Sequence, residues 1–164
     1  METKFIGIYL NDHLAGSVVG VELAKRAASN NEGSELGDFL AELARDIEAD
    51  RDVLKAIMEH LGVSESRIKM PIAWATEKAG RLKPNGQMTG YSPLSRLIEL
   101  EGLTLGVTGK LAPWRSLAAT RSDLGAFDVE TLIERAEAQR DSLEARRVEA
   151  AKAAFGTPAA TPAD

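Results

Sequence analysis

Apolar residues recur at three- and four-residue steps along four long stretches of this chain. In the first stretch, from Lys4 to Ala28, the steps run through Ile6, Leu10, Leu14, Ser17, Val21, Ala24 and Ala28. This spacing places the side chains on one helix face, which indicates an amphipathic helix and not a strand. The same stepping recurs in three further stretches, in which the seams begin at Leu40, Leu94 and Val129.

Residues suited to helix ends bound these stretches. Ser and Asp side chains accept hydrogen bonds from the free N–H groups of a first turn, and Pro suits the first helical position. Gly commonly follows the last turn. The sequence therefore predicts N-caps at Ser34, Ser92 (followed by Pro93) and Asp128, and the end of the second helix near Leu61 and Gly62.

A long connection separates the second long stretch from the next one. It contains a shorter predicted third helix, which the segment from Ser64 to Arg67 opens and which ends near Gly80 to Lys83. The long helices then form two hairpins joined by this connection, an arrangement known among four-helix bundles. We expect one all-α bundle domain over residues 1–155, and a disordered tail over residues 156–164, which is rich in Pro and Ala.

Composition agrees with a helical domain and excludes several functions. The chain has 164 residues, only 5% aromatics and a net charge of −5. The negative charge argues against general nucleic-acid binding and against binding to an anionic membrane surface. With no cysteine, disulfides, thiolate metal sites and thiol catalysis are excluded. No signal peptide or spanning segment is recognisable, so we expect a soluble, cytoplasmic protein.

Two similar strings, residues 47–54 and 136–143, fall on two different predicted helices. Each contains Glu-x-x-Arg followed by Asp, as Glu48 with Arg51 and Glu137 with Arg140. Carboxylate-bundle metal proteins place Glu-x-x-His on two helices in this way. Arg stands here where His would be needed, and a protonated guanidinium has no lone pair for a metal. The strings therefore indicate a metal-bundle frame with altered chemistry.

Polar residues interrupt each long seam at a similar predicted height. We expect them to meet near mid-bundle as a buried polar layer, in which guanidinium–carboxylate pairs take the place of metal ions. Solvated surface pairs are the alternative. The predicted layer comprises Ser17, Glu48, Arg51, Glu101, Glu137 and Arg140.

At these positions the chain resembles the ferritin-like superfamily, in its bacterioferritin and rubrerythrin branches. Residues 10–19 and 43–51 look like the family's first two helices, and Glu101 fits the Glu of its third helix. The resemblance implies two helix hairpins joined by a long crossover, and diiron oxidase or iron-storage activity. Three of the six implied ligands are replaced, at Ser17, Arg51 and Arg140.

The sequence favours a non-catalytic scaffold or interaction protein that has lost the di-iron site and carries no cofactor. One alternative is a metalloprotein with a reduced site for iron or another divalent metal on Glu48, Glu101 and Glu137, joined by His13. His13 is alternatively a packing residue at the end of the bundle. A further alternative is a carrier of a small ligand in the bundle interior.

For partners, the sequence predicts a homodimer. The expected contact is either the outer face of the first hairpin or the crossover, which carries Met70, Ile72, Trp74 and Ala75. Trp74, Tyr91 and Trp114 are expected to be core or interface anchors and not platforms for stacking nucleobases.

Overall fold

A computed structural model describes residues 2–66 and 91–156 of the chain. These residues form four α-helices and no strand: α1 (Glu2–Asn30), α2 (Glu35–His60), α3 (Pro93–Thr120) and α4 (Val129–Phe155). The prediction of an all-helical fold is confirmed. Across these four helices, no stretch is both long enough and apolar enough to cross a bilayer.

The predicted caps begin three of the helices. Ser34 Oγ accepts a hydrogen bond from the Gly37 N–H at 3.1 Å and begins α2. The equivalent bonds run from Ser95 N to Ser92 Oγ at 3.1 Å, and from Thr131 N to Asp128 Oδ1 at 3.0 Å. Gly62 adopts a φ of 66° just after α2, a conformation that glycine allows without a steric penalty.

Of the segment predicted to open a third helix, Ser64 to Arg67, the structure describes the first three residues. Residues Ser64 to Ser66 are not helical, because the Asn11 side chain holds their backbone: Asn11 Nδ2 donates to the Ser64 carbonyl at 3.1 Å and Asn11 Oδ1 accepts from the Ser66 N–H at 2.6 Å. The rest of that predicted helix lies outside the described residues. So do Met70, Ile72, Trp74 and Ala75, on which the predicted dimer contact through the crossover depends. The same is true of the tail beyond Gly156.

Neighbouring helices of the bundle run antiparallel. Tyr9, near the start of α1, bonds Ser116 near the end of α3, and Asn30, at the end of α1, bonds Glu99 near the start of α3. The hairpins α1–α2 and α3–α4 have the largest contacts, and α2 touches α4 more narrowly. Because α2 and α3 both run opposite to α1, they run in the same direction.

The end of α2 and the start of α3 therefore lie at opposite ends of the bundle. Asn11 in the first part of α1 contacts Ser64, just past α2. At the other end, Asn31 Nδ2 donates to Tyr91 Oη at 3.0 Å, just before α3. This relation between α2 and α3 is the one expected of two hairpins joined by a connection along the bundle.

The apolar core consists of two clusters, one towards each end. The first contains Leu14, Leu54, Leu111, Trp114 and Ala136, among others. The second contains Val21, Ile47, Val107 and Leu143, again with others. Each fully buried Leu or Val contributes about 1.5–3 kcal/mol to the free energy of unfolding. Between the clusters, every helix carries polar residues or glycine on its inner side, and the candidate site is found there.

Candidate functional site

A buried ion cluster occupies the level between the two apolar clusters. Its centre is Asp50 on α2, which is only 2% exposed. Lys110 Nζ of α3 donates to Asp50 Oδ2 at 2.5 Å, and the Arg135 guanidinium of α4 donates to Asp50 Oδ1. One carboxylate thus ties three helices together.

Gln139 extends this cluster across α4. Its Oε1 accepts a hydrogen bond from Lys110 Nζ at 2.6 Å, and its Nε2 donates to Asp46 Oδ2 at 2.9 Å. Burial lowers the pKa of the Lys110 ammonium, while the charge of Asp50 and its hydrogen bond oppose that effect. The cluster contains two carboxylates and two cations, so its charges balance, as a buried set of ions requires.

The cluster explains the two similar strings in the sequence. Asp50 and Gln139 occupy the same position in the strings 47–54 and 136–143. Both are buried, and both bind Lys110. The inward row of α2 runs through Ile47, Asp50 and Leu54, because these three residues are buried whereas Arg51 is only half-buried. The Glu and Arg of each string therefore lie beside that row, closer to solvent.

The six residues of the predicted polar layer do not share one buried layer. Glu101 is exposed and the other five are half-buried. Ser17 Oγ donates to the Leu14 carbonyl, and the charged five form separate pairs nearer the surface: Glu48 with Lys25 at 2.6 Å, Arg51 with Asp52 at 4.0 Å, Glu101 with Arg147 at 3.6 Å, Glu137 with Arg115 at 2.5 Å and Arg140 with Asp141 at 2.8 Å.

The carboxylates do not fit the metal centre that the resemblance implies. The three Glu of the reduced metal site pair with three different cations, and the hydrogen bond from Lys25 lowers the pKa of Glu48. Asp50 already bonds two cations. Within residues 2–66 and 91–156, no three His, Cys, Asp or Glu side chains are grouped so that they could hold a metal ion.

A cavity of about 250 Å³ lies beside the ion cluster, between α1, α2 and α3. Glycines form much of its wall: Gly16 and Gly20 on α1, and Gly102, Gly106 and Gly109 on α3. A Cβ atom added at Gly16, Gly106 or Gly109 would meet nothing within 4 Å. These three glycines are exposed, so the cavity opens to solvent between α1 and α3.

Two buried donors without a hydrogen-bond partner in the described part of the chain belong to residues that line this cavity. They are the indole Nε1 of Trp114 and the guanidinium Nε of Arg51. Trp114 is 1% exposed. A buried donor left without an acceptor costs about 1–3 kcal/mol, but each of these atoms has under 1 Å² of accessible surface, so both lie behind the cavity surface. The candidate for a binding site is therefore the formed cavity with its glycine and apolar wall.

His13 also lines the cavity. Its ring packs edge-on against the ring of Tyr9, with the centroids 4.6 Å apart. Burial lowers the pKa of His13, and the charge of Asp12 partly opposes that effect. The lowered pKa favours the neutral imidazole, and the ring forms part of the cavity wall.

The predicted polar layer contains none of the residues that form the ion cluster. Asp50 and Gln139 were visible as matching positions of the two strings, and the spacing of Gly102, Gly106 and Gly109 already indicated one small-residue face on α3. Lys110 gave no such signal, because a lone Lys on a predicted helix is normally solvated.

Comparison of the chain with protein-family models, with curated proteins and with solved structures gives no match.

Proposed function

We propose that this chain is a non-catalytic helical-bundle protein that binds a small organic molecule in the cavity between α1, α2 and α3. The observation that carries the proposal is the cavity of about 250 Å³, which is already formed and is lined by glycines and by apolar side chains such as Leu54, Leu103 and Val107. Small-molecule sites are typically concave and apolar, with a few polar groups that fix the orientation of the ligand.

A ferritin-like origin is part of this proposal. The two antiparallel hairpins, with α2 and α3 running in the same direction, agree with the bundles that have one long crossover. The two strings around Asp50 and Gln139 lie on α2 and α4, the helices on which that family has its Glu-x-x-His motifs. In this proposal the ion cluster has replaced the metal ions at the centre of the bundle.

The metalloprotein alternative has less support. Binding one metal ion through Glu48, Glu101 and Glu137 would require all three carboxylates to leave their present partners, Lys25, Arg147 and Arg115. The ligand-binding proposal requires no such rearrangement, because the cavity is already formed.

Thermal unfolding with toluene as a probe tests ligand binding. At ten times its Kd, a ligand stabilises the folded state by about 1.4 kcal/mol, which raises Tm by about 3–5 °C for a domain of this size. We expect that rise in the wild type. Gly106→Leu should abolish it, because Gly106 lines the cavity and has no other atom within 4 Å of an added Cβ, so a large side chain there has room to fill the space.

Ala112→Leu is the matched control, since Ala112 is an exposed residue of α3 that does not line the cavity. This variant should keep the toluene-induced rise in Tm. No rise in the wild type, or an equal rise in all three proteins, would rule the proposed cavity out as the binding site.

Self-association is a second candidate function, which a separate observation favours. Phe5, Ile8 and Val18 on α1 are 65%, 53% and 45% exposed, and apolar groups of this kind often mark protein contacts. In light scattering we expect twice the chain mass for the wild type and for the control Val148→Glu on α4. Ile8→Glu should give the mass of one chain. A monomeric wild type at high concentration would exclude this candidate.

A further inference from the structure

We infer that the ligand of the cavity is an uncharged, apolar molecule larger than a single benzene ring, such as a fused two-ring hydrocarbon. This inference rests on the proposed function and specifies the class of its ligand. It follows from the charges of the cavity wall, from its hydrogen-bonding atoms, from its apolar surface and from the volume of the cavity.

The charged side chains that line the cavity balance one another. They are two carboxylates, Asp12 and Asp50, and two cations, Arg51 and Lys110. Asp50 and Lys110 are bound to each other at 2.5 Å, and Arg51 Nε lies 4.0 Å from the carboxylate of Asp52. Asp12 is exposed to solvent, where an ion pair contributes little. A charged ligand would therefore lose its hydration without gaining a free buried counter-charge, and burying a charge in this way is costly.

The hydrogen-bonding atoms of the wall are largely engaged or covered. The polar atoms of Asp50 and Lys110 are bound within the ion cluster, and Ser17 Oγ donates to a main-chain carbonyl of its own helix. Trp114 Nε1 and Arg51 Nε each have under 1 Å² of accessible surface, so a molecule in the cavity does not reach them. A polar ligand would therefore exchange its hydrogen bonds to water for few bonds to the wall.

The other side chains of the wall suit an apolar ligand. Leu54, Leu103 and Val107 supply aliphatic groups, and the lowered pKa of His13 favours its uncharged ring. Transfer of apolar surface from water to such a wall is favourable in proportion to the area buried. The free energy of binding is therefore expected to come from apolar contact.

The volume of the cavity indicates the size of the ligand. An apolar cavity of about 150 Å³ holds a benzene molecule, whereas this one has about 250 Å³. A single ring would leave part of the space empty, and a fused pair of rings would fill more of it. Gly16 and Gly106 have no side chains at the opening, and an added Cβ at either would meet nothing within 4 Å. A flat molecule therefore has room to enter between α1 and α3.

Five probes test the charge and the size of the ligand. Naphthalenemethanol, naphthoate and naphthylmethylamine are of similar size, but at pH 7 they are uncharged, anionic and cationic. We expect both ions to bind at least about tenfold more weakly than naphthalenemethanol, because neither finds a free buried counter-charge. Naphthalene should bind at least about tenfold more tightly than toluene, because it buries more apolar surface.

Methyl NMR titration gives the dissociation constants and also locates the ligand. We expect naphthalene to shift the methyl signals of Leu54, Leu103 and Val107, which line the cavity. Gly106→Leu should abolish naphthalene binding, whereas the control Ala112→Leu should retain it, since Ala112 does not line the cavity. Binding that leaves these three methyl signals unchanged would place naphthalene elsewhere and overturn the inference.

A pair of carboxylate variants tests whether the charges of the wall set this selectivity. Asp12→Asn removes a negative charge from the wall, so naphthoate should bind about threefold more tightly, the modest gain expected at an exposed position. The affinity for naphthalenemethanol should not change. The control Glu22→Gln removes an exposed carboxylate of α1 that does not line the cavity, and it should change neither affinity. No selective gain for naphthoate in Asp12→Asn would contradict the role given to these charges.

The outcomes distinguish this inference from the proposal beneath it. If either ion binds as tightly as naphthalenemethanol, the ligand is not restricted to uncharged molecules. If toluene binds as tightly as naphthalene, the inferred size is wrong. Both results would refute the inference and leave the cavity as a binding site. If none of the five probes binds, the ligand class and the proposed function are both wrong.

Discussion

Asp50 is the residue on which the polar centre of the bundle depends. Its carboxylate joins α2 to Lys110 on α3 and to Arg135 on α4. Removing the charge in Asp50→Asn leaves two cations facing a neutral amide in a buried place. Breaking a buried ion pair in this way costs about 3–5 kcal/mol. We expect a loss of that size in the free energy of unfolding, measured by urea titration.

Arg51→Ala and Arg140→Ala serve as comparison for Asp50→Asn. Both arginines pair with neighbouring aspartates whose side chains are about 70% exposed, and exposed pairs contribute less than about 1 kcal/mol. Losses above 3 kcal/mol for these two variants, with a small loss for Asp50→Asn, would mean that the originally predicted layer is the buried one.

Tyr91 provides a pH-dependent test of the packing beside α3. Burial raises the pKa of its hydroxyl from 10.0 to about 12, and the hydrogen bond that it donates to Glu99 adds to the rise. The folded state therefore retains a proton that the unfolded state releases, so stability present below pH 10 is lost as the pH rises towards 12. In Tyr9→Phe, where Tyr91 is the only tyrosine, we expect absorbance titration to give a midpoint near pH 12. A midpoint near 10 in protein that circular dichroism shows to be folded would contradict this packing.

Among the elements, the start of α2 depends on a glycine that no other residue replaces easily. A Cβ atom at Gly37 would overlap the carbonyl oxygen of Asn31, so Gly37→Ala forces the backbone to shift. We expect a loss of about 1–3 kcal/mol in the free energy of unfolding.

Gly106→Ala in α3 should instead increase the free energy of unfolding. A Cβ atom there meets nothing within 4 Å, and alanine favours a helix over glycine by about 0.5–1 kcal/mol. Calorimetric melting of the two variants tests this pair of expectations, and a stabilising Gly37→Ala would show that the start of α2 is arranged differently.

The helices themselves could be predicted from sequence, because caps and seams are local signals. Ser34, Ser92 and Asp128 each begin a helix at the expected residue. The inward face of α2 was predicted less accurately. Steps of three and four residues from Ile47 to Leu54 pass equally well through Asp50 or Arg51, and only the contact with Lys110 decides between them. That contact joins residues 60 positions apart, so the periodicity of one helix does not reveal it.

In the whole molecule, too, local features could be predicted from the sequence, whereas contacts between distant residues could not. Two hairpins could be expected from the order of the helices, but the cavity depends on how α1 and α3 are spaced. At Gly102 these helices approach closely, because an added Cβ would come within 3.0 Å of the Leu23 side chain. Nearer Gly16 and Gly106 the space between them is open. Such a spacing results from packing across the bundle, and the two similar strings, residues 47–54 and 136–143, do not encode it.

We propose that this bundle holds a self-satisfied ion cluster beside a ligand cavity, and no metal centre. A metal count tests it most directly, on protein purified without chelator, loaded with Fe(II), Mn(II) or Zn(II) and then desalted. We expect no stoichiometric metal, because Asp50 is held by Lys110 and Arg135, and a cation about 4 Å from another charge meets about 4 kcal/mol of repulsion at an effective dielectric of 20. One metal ion per chain would favour the site on Glu48, Glu101 and Glu137, and two tightly held ions per chain would show that the bundle holds a di-metal centre.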